Sequence, residues 1–365
     1  MYRQQDSNLA TEWSVTAPST ETYLSGQVNA FPSTRFMGSK EQLLLPIWHA
    51  VGMFSPKSVL DLCSGTAVVS YMLKAQGCRV YSNDYMKMAT TMAEATVKNS
   101  DIVLTEEEIA AVANAQPASD RLIERTYGEL YFDRSDIQFL DGAREIVHSW
   151  SGAKRSLALA ALIRSCLKRR PRGIFTYTGR RYDDGRRDLQ FSLCEHFIKA
   201  AHQLNSAIFD NGQRCEVFNV DLSHDLPDII PDVVYLDPPY FSPLSDNEYV
   251  RRYHFTEALA CDWQGVEIQH HTKTKKIRNY PSPFRSELGC LKAIGEIVDR
   301  YRQSAIVISY SSNSLPTASD MLNHLRRHGR KASVSEIDHR YSFANQGNAR
   351  KPIRNKVKEL IFIAE

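Results

Sequence analysis

The phosphate-cradling glycine patterns are missing from this 365-residue chain. Neither GxGxxG nor GxxxxGK[ST] occurs, which counts against a nicotinamide-type fingerprint and excludes a Walker loop. The seven cysteines, Cys63, Cys78, Cys166, Cys194, Cys215, Cys261 and Cys290, form no CxxC pair. An odd, scattered set in a chain of this size argues against a disulfide framework or a zinc site and for a reducing cytoplasm. Long apolar runs are absent too: SLALAALI, residues 156–163, is far too short to span a bilayer. The opening MYRQQDSNLATEW has no apolar core of the kind a secretion signal needs. Excess charge is small, +3 in total, so only its distribution informs. Residues 164–187 carry nine Lys or Arg against two Asp, and 326–358 is also basic. Such clustering favours a polyanion partner over a merely solvated face.

The hydrophobic share is 42% and the charged share 24%, enough apolar material for one large or two modest domains. Residues 1–30 are polar and aperiodic and read as a flexible arm. GSKEQLLLPIWHAVGMF, residues 38–54, predicts a helix, with Ser39 as its cap and Pro46 as a break. A strand SVLDLC (58–63), a turn SGTA, a helix VVSYMLKAQ, a strand CRVYSNDY (78–85) and a helix over 87–99 follow. Strand, glycine turn, helix, strand is a right-handed βαβ unit. Residues 101–213 read as a separate, mostly helical lobe, opened by the capped pattern TEEEIAAVANA. Strand patterns return in RCEVFNVD, DVVYLD (232–237), SAIVISYS (304–311) and VKELIFIA (357–364). The fold class is α/β.

Two stretches carry chemistry. DLCSGTA, residues 61–67, ends a strand and opens a helix with one glycine, Gly65. A bare βα turn explains this stretch as well as a ligand packed on its backbone does. SNDY shifts the balance: Asp84 stands at the carboxyl end of the next strand, where an acid usually meets a ribose diol. The second stretch is DVVYLDPPY. Two prolines fix φ and donate no N–H, so the chain leaves the sheet stiffly. Asp237 and the Pro238 carbonyl then offer two acceptors beside the flat face of Tyr240. That set suits an exocyclic amino group on a flat heterocycle better than it suits a strand-ending turn with a capping Asp.

These residues resemble the adenine-N6 DNA methyltransferases of the Dam-like, alpha group, over most of residues 31–363 and in that group's motif order. FMGSK (36–40) resembles its N-terminal cofactor motif, DLCSGTA its donor glycine motif, SNDY its acidic motif and FNVD its adenine-side strand end. DPPYFSPLSDNEY resembles its catalytic motif, and RNKVKELIFIA its closing strand. The departure is at the turn, where Cys63 and Ala67 replace the commoner aromatic and second glycine.

The resemblance implies a Rossmann-like methyltransferase fold, a mixed, mostly parallel sheet with helices on both faces. It divides the chain into a catalytic domain, 31–100 and 214–365, and an inserted target-recognition lobe, 101–213. It implies S-adenosylmethionine as methyl donor, held by Phe36, Lys40, Asp61, Cys63, Gly65, Asp84, Asp221 and Asp237. The catalytic set is Asp237, Pro238, Pro239 and Tyr240, with Tyr240 stacked on a flipped-out adenine and no metal required. Double-stranded DNA would be gripped by Arg180, Arg181, Arg186 and Arg187, and by Lys273, Lys275 and Lys276, with Arg251, Arg252 and Arg278 as further candidates. The histidines, His254 and His270–His271 among them, are assigned no role. A cognate restriction endonuclease, or a phage or plasmid system, goes with the resemblance, and a monomer is the default. The rival readings are an RNA-adenine or cytosine-N4 methyltransferase, a non-catalytic DNA-binding regulator and a nicotinamide oxidoreductase.

Overall fold

A computed structural model describes residues 23–179, 183, 185–243, 248–280, 282–339 and 357–365. Seven strands form one sheet: β1 (Ser58–Asp61), β2 (Arg79–Asn83), β3 (Glu216–Phe218), β4 (Val233–Leu236), β5 (Ala305–Ser311), β6 (Ala332–His339) and β7 (Val357–Ala364). Their spatial order is β3-β2-β1-β4-β5-β7-β6. The pairs from β3 to β5 are parallel, and β7 lies antiparallel to both β5 and β6. This is the mixed, mostly parallel sheet expected. From β1 the chain builds outward through β2 and β3, then returns to place β4 and β5 on the other side. The switch point therefore falls between β1 and β4, where open α/β sheets bind ligands. All four β4 residues are buried, as a strand covered on both faces requires.

Around the sheet lie α1 (Leu44–Gly52), α2 (Val68–Ala75), α3 (Lys87–Ala93), α9 (Tyr249–Ala260), α10 (Glu287–Arg300) and α11 (Ala318–Arg327). The inserted segment supplies α4 (Glu106–Ala113), α5 (Leu122–Tyr127), α6 (Arg134–Ser149), α7 (Gly152–Arg169) and α8 (Leu193–Ala207). Thr105 caps α4 through a capping box with Glu108, as its pattern predicts. Among the described residues no helix is long and apolar enough to cross a membrane.

Several expectations need correction. The first helix does not start at Gly38, whose φ is +75°. A short 3-10 turn, Glu41–Leu43, precedes α1. Pro46 is the third residue of α1, inside the first turn where its missing N–H has no intrahelical partner, so it breaks nothing. The arm is packed at its inner end: Gly26–Ala30 form a 3-10 turn, Val28 and Phe31 are buried, and the Ser25 N–H donates to Gln76 Oε1 at 2.7 Å. Residues 1–22 lie outside the described residues. The apolar core of the inserted helices also does not stop at residue 101 or 213. Leu140, Leu157, Leu162 and Phe197 share one cluster with Met88 and Met92 of α3 and with Tyr253 and Phe255 of α9.

The basic run 164–187 is only partly a surface. Arg164 is buried and donates to the Ser33 carbonyl, Thr34 Oγ1 and Gln203 Oε1. Arg170 is buried and donates to the carbonyls of Tyr131, Tyr177 and Gly179. Arg169 bonds Asp133 and Asp136. Guanidinium donors withdrawn from water need acceptors, and these three arginines bond to groups of the protein itself, which overturns their reading as part of a polyanion face.

Candidate active site

An open pocket of about 790 Å³ lies over the carboxyl ends of β1, β2 and β4. Phe36, Lys40, Asp61, Cys63, Gly65, Asp84, Asp221 and Asp237, dispersed over two hundred residues, all line it, with Pro239 at the same wall. Pro238 is buried beside them and Tyr240 packs just behind. Among the described basic positions, Arg186, Arg187, Lys273, Lys275 and Lys276 do not line it; Arg180 and Arg181 lie outside the described residues.

The 36–40 stretch is held by α9. The Phe36 ring stacks on Tyr253 at 4.6 Å, the Met37 N–H donates to Tyr253 Oη at 2.7 Å, and Tyr249 donates to the Met37 carbonyl at 3.1 Å. Gly38 sits so close that a Cβ there would meet Tyr249 Oη at 2.8 Å. The same logic applies across the pocket. Gly65 has a φ of +53°, and a Cβ would stand 3.2 Å from the Phe36 ring. Ala67, in the place of a commoner second glycine, adopts a φ of +64°. That left-handed backbone is the conformation that favours glycine there.

Four carboxylates converge. Asp84 follows β2 and accepts from the Gly65 N–H and the Met86 N–H, both at 2.9 Å. Asp61 ends β1, and its Oδ2 accepts from Ser70 at 2.7 Å. Burial pushes both carboxyls up to about 7. Asp221 sits three residues past β3 and accepts from the Ser223 N–H and hydroxyl. Asn83 ties the loops together, bonding the Leu62 carbonyl and both polar groups of the Val220 backbone. Asp61 Oδ1 and Ser64 Oγ are buried without a partner in the protein. Such orphaned atoms call for a ligand donor.

Asp237 follows β4. Lys40 Nζ lies 2.8 Å from its Oδ2, and Tyr240 Oη lies 2.9 Å from its Oδ1. Burial pushes the carboxyl up to about 6, against the pull of Lys40, with the Glu359 charge adding to the rise. Sequence reasoning missed Glu359, which is 0% exposed on β7 and lies 3.5 Å from Lys40 and 2.5 Å from Tyr240. A lone acid inside the apolar strand KELIFIA was the available signal, since a buried carboxylate needs partners. It also missed Tyr249, Ser282 and Phe284, which close the far wall from distant segments. The Tyr240 ring packs on Tyr310 at 5.0 Å.

The basic positions sit on two further elements. Lys273, Lys275 and Lys276 occupy the tip of a two-stranded ribbon in which Ile268 bridges Ile277 and Gln269 bonds Lys276. Lys273 is exposed, Lys275 turns back to the His270 carbonyl, and Arg278 at the base pairs with Glu267. Arg186 is half-buried, while Arg187 is exposed with its guanidinium over Phe191. His254 is a packed core residue, held between Tyr131 and the Phe175 carbonyl.

Residues 36–279, well over half of the chain, match the profile of the D12 class N6 adenine-specific DNA methyltransferases. The chain is 24% identical over 350 residues to the type II methyltransferase M2.HphI of Haemophilus parahaemolyticus, covering 92% of this chain and 98% of that one. It is 26% identical over 325 residues to the modification methylase StsI of Streptococcus sanguinis, covering 80% of this chain and 46% of that one. It is 22% identical over 321 residues to the type II methyltransferase M.FokI of Planomicrobium okeanokoites, covering 81% and 47%. It thus spans about half the length of the latter two. The pocket fits the methyl donor of such enzymes: its acidic wall and orphaned acceptors suit a cationic ligand with an ammonium group and a ribose diol, and Phe36 offers a flat ring. The chain therefore belongs to the D12 class N6 adenine-specific DNA methyltransferases, and its methyl donor is S-adenosylmethionine.

Proposed function

We propose that this chain methylates the N6 amino group of a specific adenine in double-stranded DNA. The observation that carries the reading is the position of Asp237: it stands at the switch point of the sheet, on the wall of the same pocket as Asp61 and Asp84. S-adenosylmethionine supplies a methyl group on a sulfonium, which needs no further activation. The task left to the protein is to aim a poor nucleophile at it.

Phe36, Asp61, Gly65 and Asp84 hold the donor, and Asp221 marks its adenine end. The adenine target leaves the duplex stack to reach the pocket. Asp237 and the Pro238 carbonyl accept hydrogen bonds from its amino group. Each Asp237 oxygen already meets one donor, Lys40 or Tyr240, and keeps a second lone pair for an N–H. Holding both N–H groups draws the N6 lone pair out of the ring and aims it. Positioning and the fixed negative charge supply most of the acceleration. Asp237 acts as acceptor first and takes the proton after transfer. Tyr240 offers its ring face to the base.

Target recognition is assigned to residues 101–213 together with the lysine-tipped ribbon, whose cations meet phosphates. The named modification methylases among the relatives support a place in a restriction–modification pair, with an endonuclease reading the same site. The test uses purified protein, S-adenosylmethionine labelled in the methyl group and unmethylated duplex DNA, followed by nucleoside chromatography. Label in N6-methyldeoxyadenosine is expected. Label in N4-methyldeoxycytidine, or transfer only to RNA, would overturn the choice of adenine in DNA.

A further inference from the structure

In the wall behind Asp237 stand three more groups with which it shares charge and hydrogen. Lys40 Nζ stands 2.8 Å from Asp237 and 3.5 Å from Glu359. Tyr240 Oη stands 2.9 Å from Asp237 Oδ1 and 2.5 Å from Glu359 Oε1. Lys40 is 3% exposed and Glu359 0%, so these charges interact through protein rather than through water. A phenol has one hydrogen, so Tyr240 divides it between two carboxylates.

Counting charge shows what Glu359 adds. Lys40 and Asp237 alone sum to zero, which leaves a neutral pair facing a reaction in which positive charge moves onto N6. With Glu359 the group carries one net negative charge. Lys40 is shared between two carboxylates, and Asp237 keeps acceptor strength toward the pocket. We propose that Glu359 is a positioning residue for methyl transfer, holding Lys40 and Tyr240 so that the negative charge of Asp237 remains available to the amino group. It touches neither substrate nor donor and acts through the two residues that contact Asp237. The inference rests on the adenine-N6 reading for its substrate, and on the geometry alone for its effect on Asp237.

Other ionisable groups face Asp237 from the packed elements: Asp61 and Cys63 from the β1 end, Tyr235 on β4 and Tyr249 on α9. They stay in place in the variants below. Glu359 raises the Asp237 carboxyl and Lys40 lowers it. Glu359→Gln therefore moves the acid limb of the kcat–pH profile to lower pH, and Lys40→Met moves it to higher pH.

The experiment compares wild type, Lys40→Met, Glu359→Gln, Glu359→Asp and the double variant Lys40→Met/Glu359→Gln for kcat, KM for DNA, the acid limb, and the pH dependence of S-adenosylmethionine binding by calorimetry. Glu359→Gln is expected to lose about tenfold or more in kcat, with KM for DNA and donor affinity at neutral pH within about threefold. Glu359→Asp keeps the limb in place. The double variant, again with one net negative charge, recovers part of the loss. An unmoved limb in Glu359→Gln, or a loss the double variant does not relieve, reduces Glu359 to a packing residue and overturns the proposal. If Glu359→Gln does not fold, the upward move in Lys40→Met and the held limb in Glu359→Asp decide. The binding titration reads the same shift without turnover. Wild type that transfers no methyl to adenine therefore contradicts the functional reading, while an unmoved binding titration contradicts this one.

Discussion

In the proposed mechanism a single carboxylate at position 237 must stay ionised, stay partly desolvated and keep a lone pair free for substrate. Its neighbours set the compromise. Because the ionised form acts and burial holds the group at about 6, the rate should rise with pH through about 6 and flatten above it. Asp237→Ala is expected to cut kcat by at least roughly 10²-fold while S-adenosylmethionine still binds, as read by single-turnover transfer beside calorimetry; near-wild-type transfer would place the chemistry elsewhere. Gly65→Val should do the reverse. A side chain there is strained by the left-handed backbone and meets the Phe36 ring, so donor binding is lost while circular dichroism reports a folded chain; retained donor affinity would disprove the close approach. Much of this was legible in the sequence, because a carboxylate, two prolines and an aromatic at a strand end constrain each other locally. Glu359 was not. Its partners, Lys40 and Tyr240, lie over a hundred residues away or more, and only strand pairing brings β7 beside them.

At the scale of elements, local rules worked where the signal was local. The βαβ unit, the capping box at Thr105 and the β4, β5 and β7 strands follow from periodicity and caps. β6 escaped because ASVSEIDH is a polar edge strand whose partner is the last strand of the chain. Edge strands carry little apolar signal. The helix read from residue 87 does start there, as α3. Met86 precedes it with no side-chain cap, and the Lys87 and Met88 N–H groups are instead satisfied by Glu257 of α9, at 2.8 and 2.9 Å. Removing that carboxylate strands two backbone donors, the Met88 N–H fully buried and the Lys87 N–H partly so, so Glu257→Ala should destabilise the protein by about 2–4 kcal/mol in chemical denaturation. A loss under about 0.5 kcal/mol would mean that water or another group takes its place. The basic run is the opposite lesson. Composition could not tell arginines that bond internal carbonyls from those facing solvent, because Arg164 and Arg170 meet their acceptors only after the helices pack.

For the whole molecule, the pocket's acidity links donor binding to protons. Asp61 and Asp84 are held up at about 7 by burial. A carboxyl whose folded value exceeds its unfolded one contributes stability at pH below about 4 and loses it as pH climbs through about 7. The ligand-free protein should therefore gain stability from these two groups on acidification from neutral pH. A cationic donor favours their ionised forms, so its binding near pH 7 should release protons, measured as a dependence of the calorimetric heat on buffer ionisation enthalpy. Proton uptake would contradict the placement of the donor's cationic groups beside these acids. The fold gathers this site from residues 36 to 284 at one crossing point between β1 and β4.

The most direct test is to express the chain in a host that methylates none of its own DNA and to sequence that DNA with single-molecule detection of modified bases. Modified adenine confined to one short motif, and lost with Asp237→Ala, is the predicted result. A well-expressed chain that leaves every adenine unmodified, or that marks cytosine instead, would contradict the account.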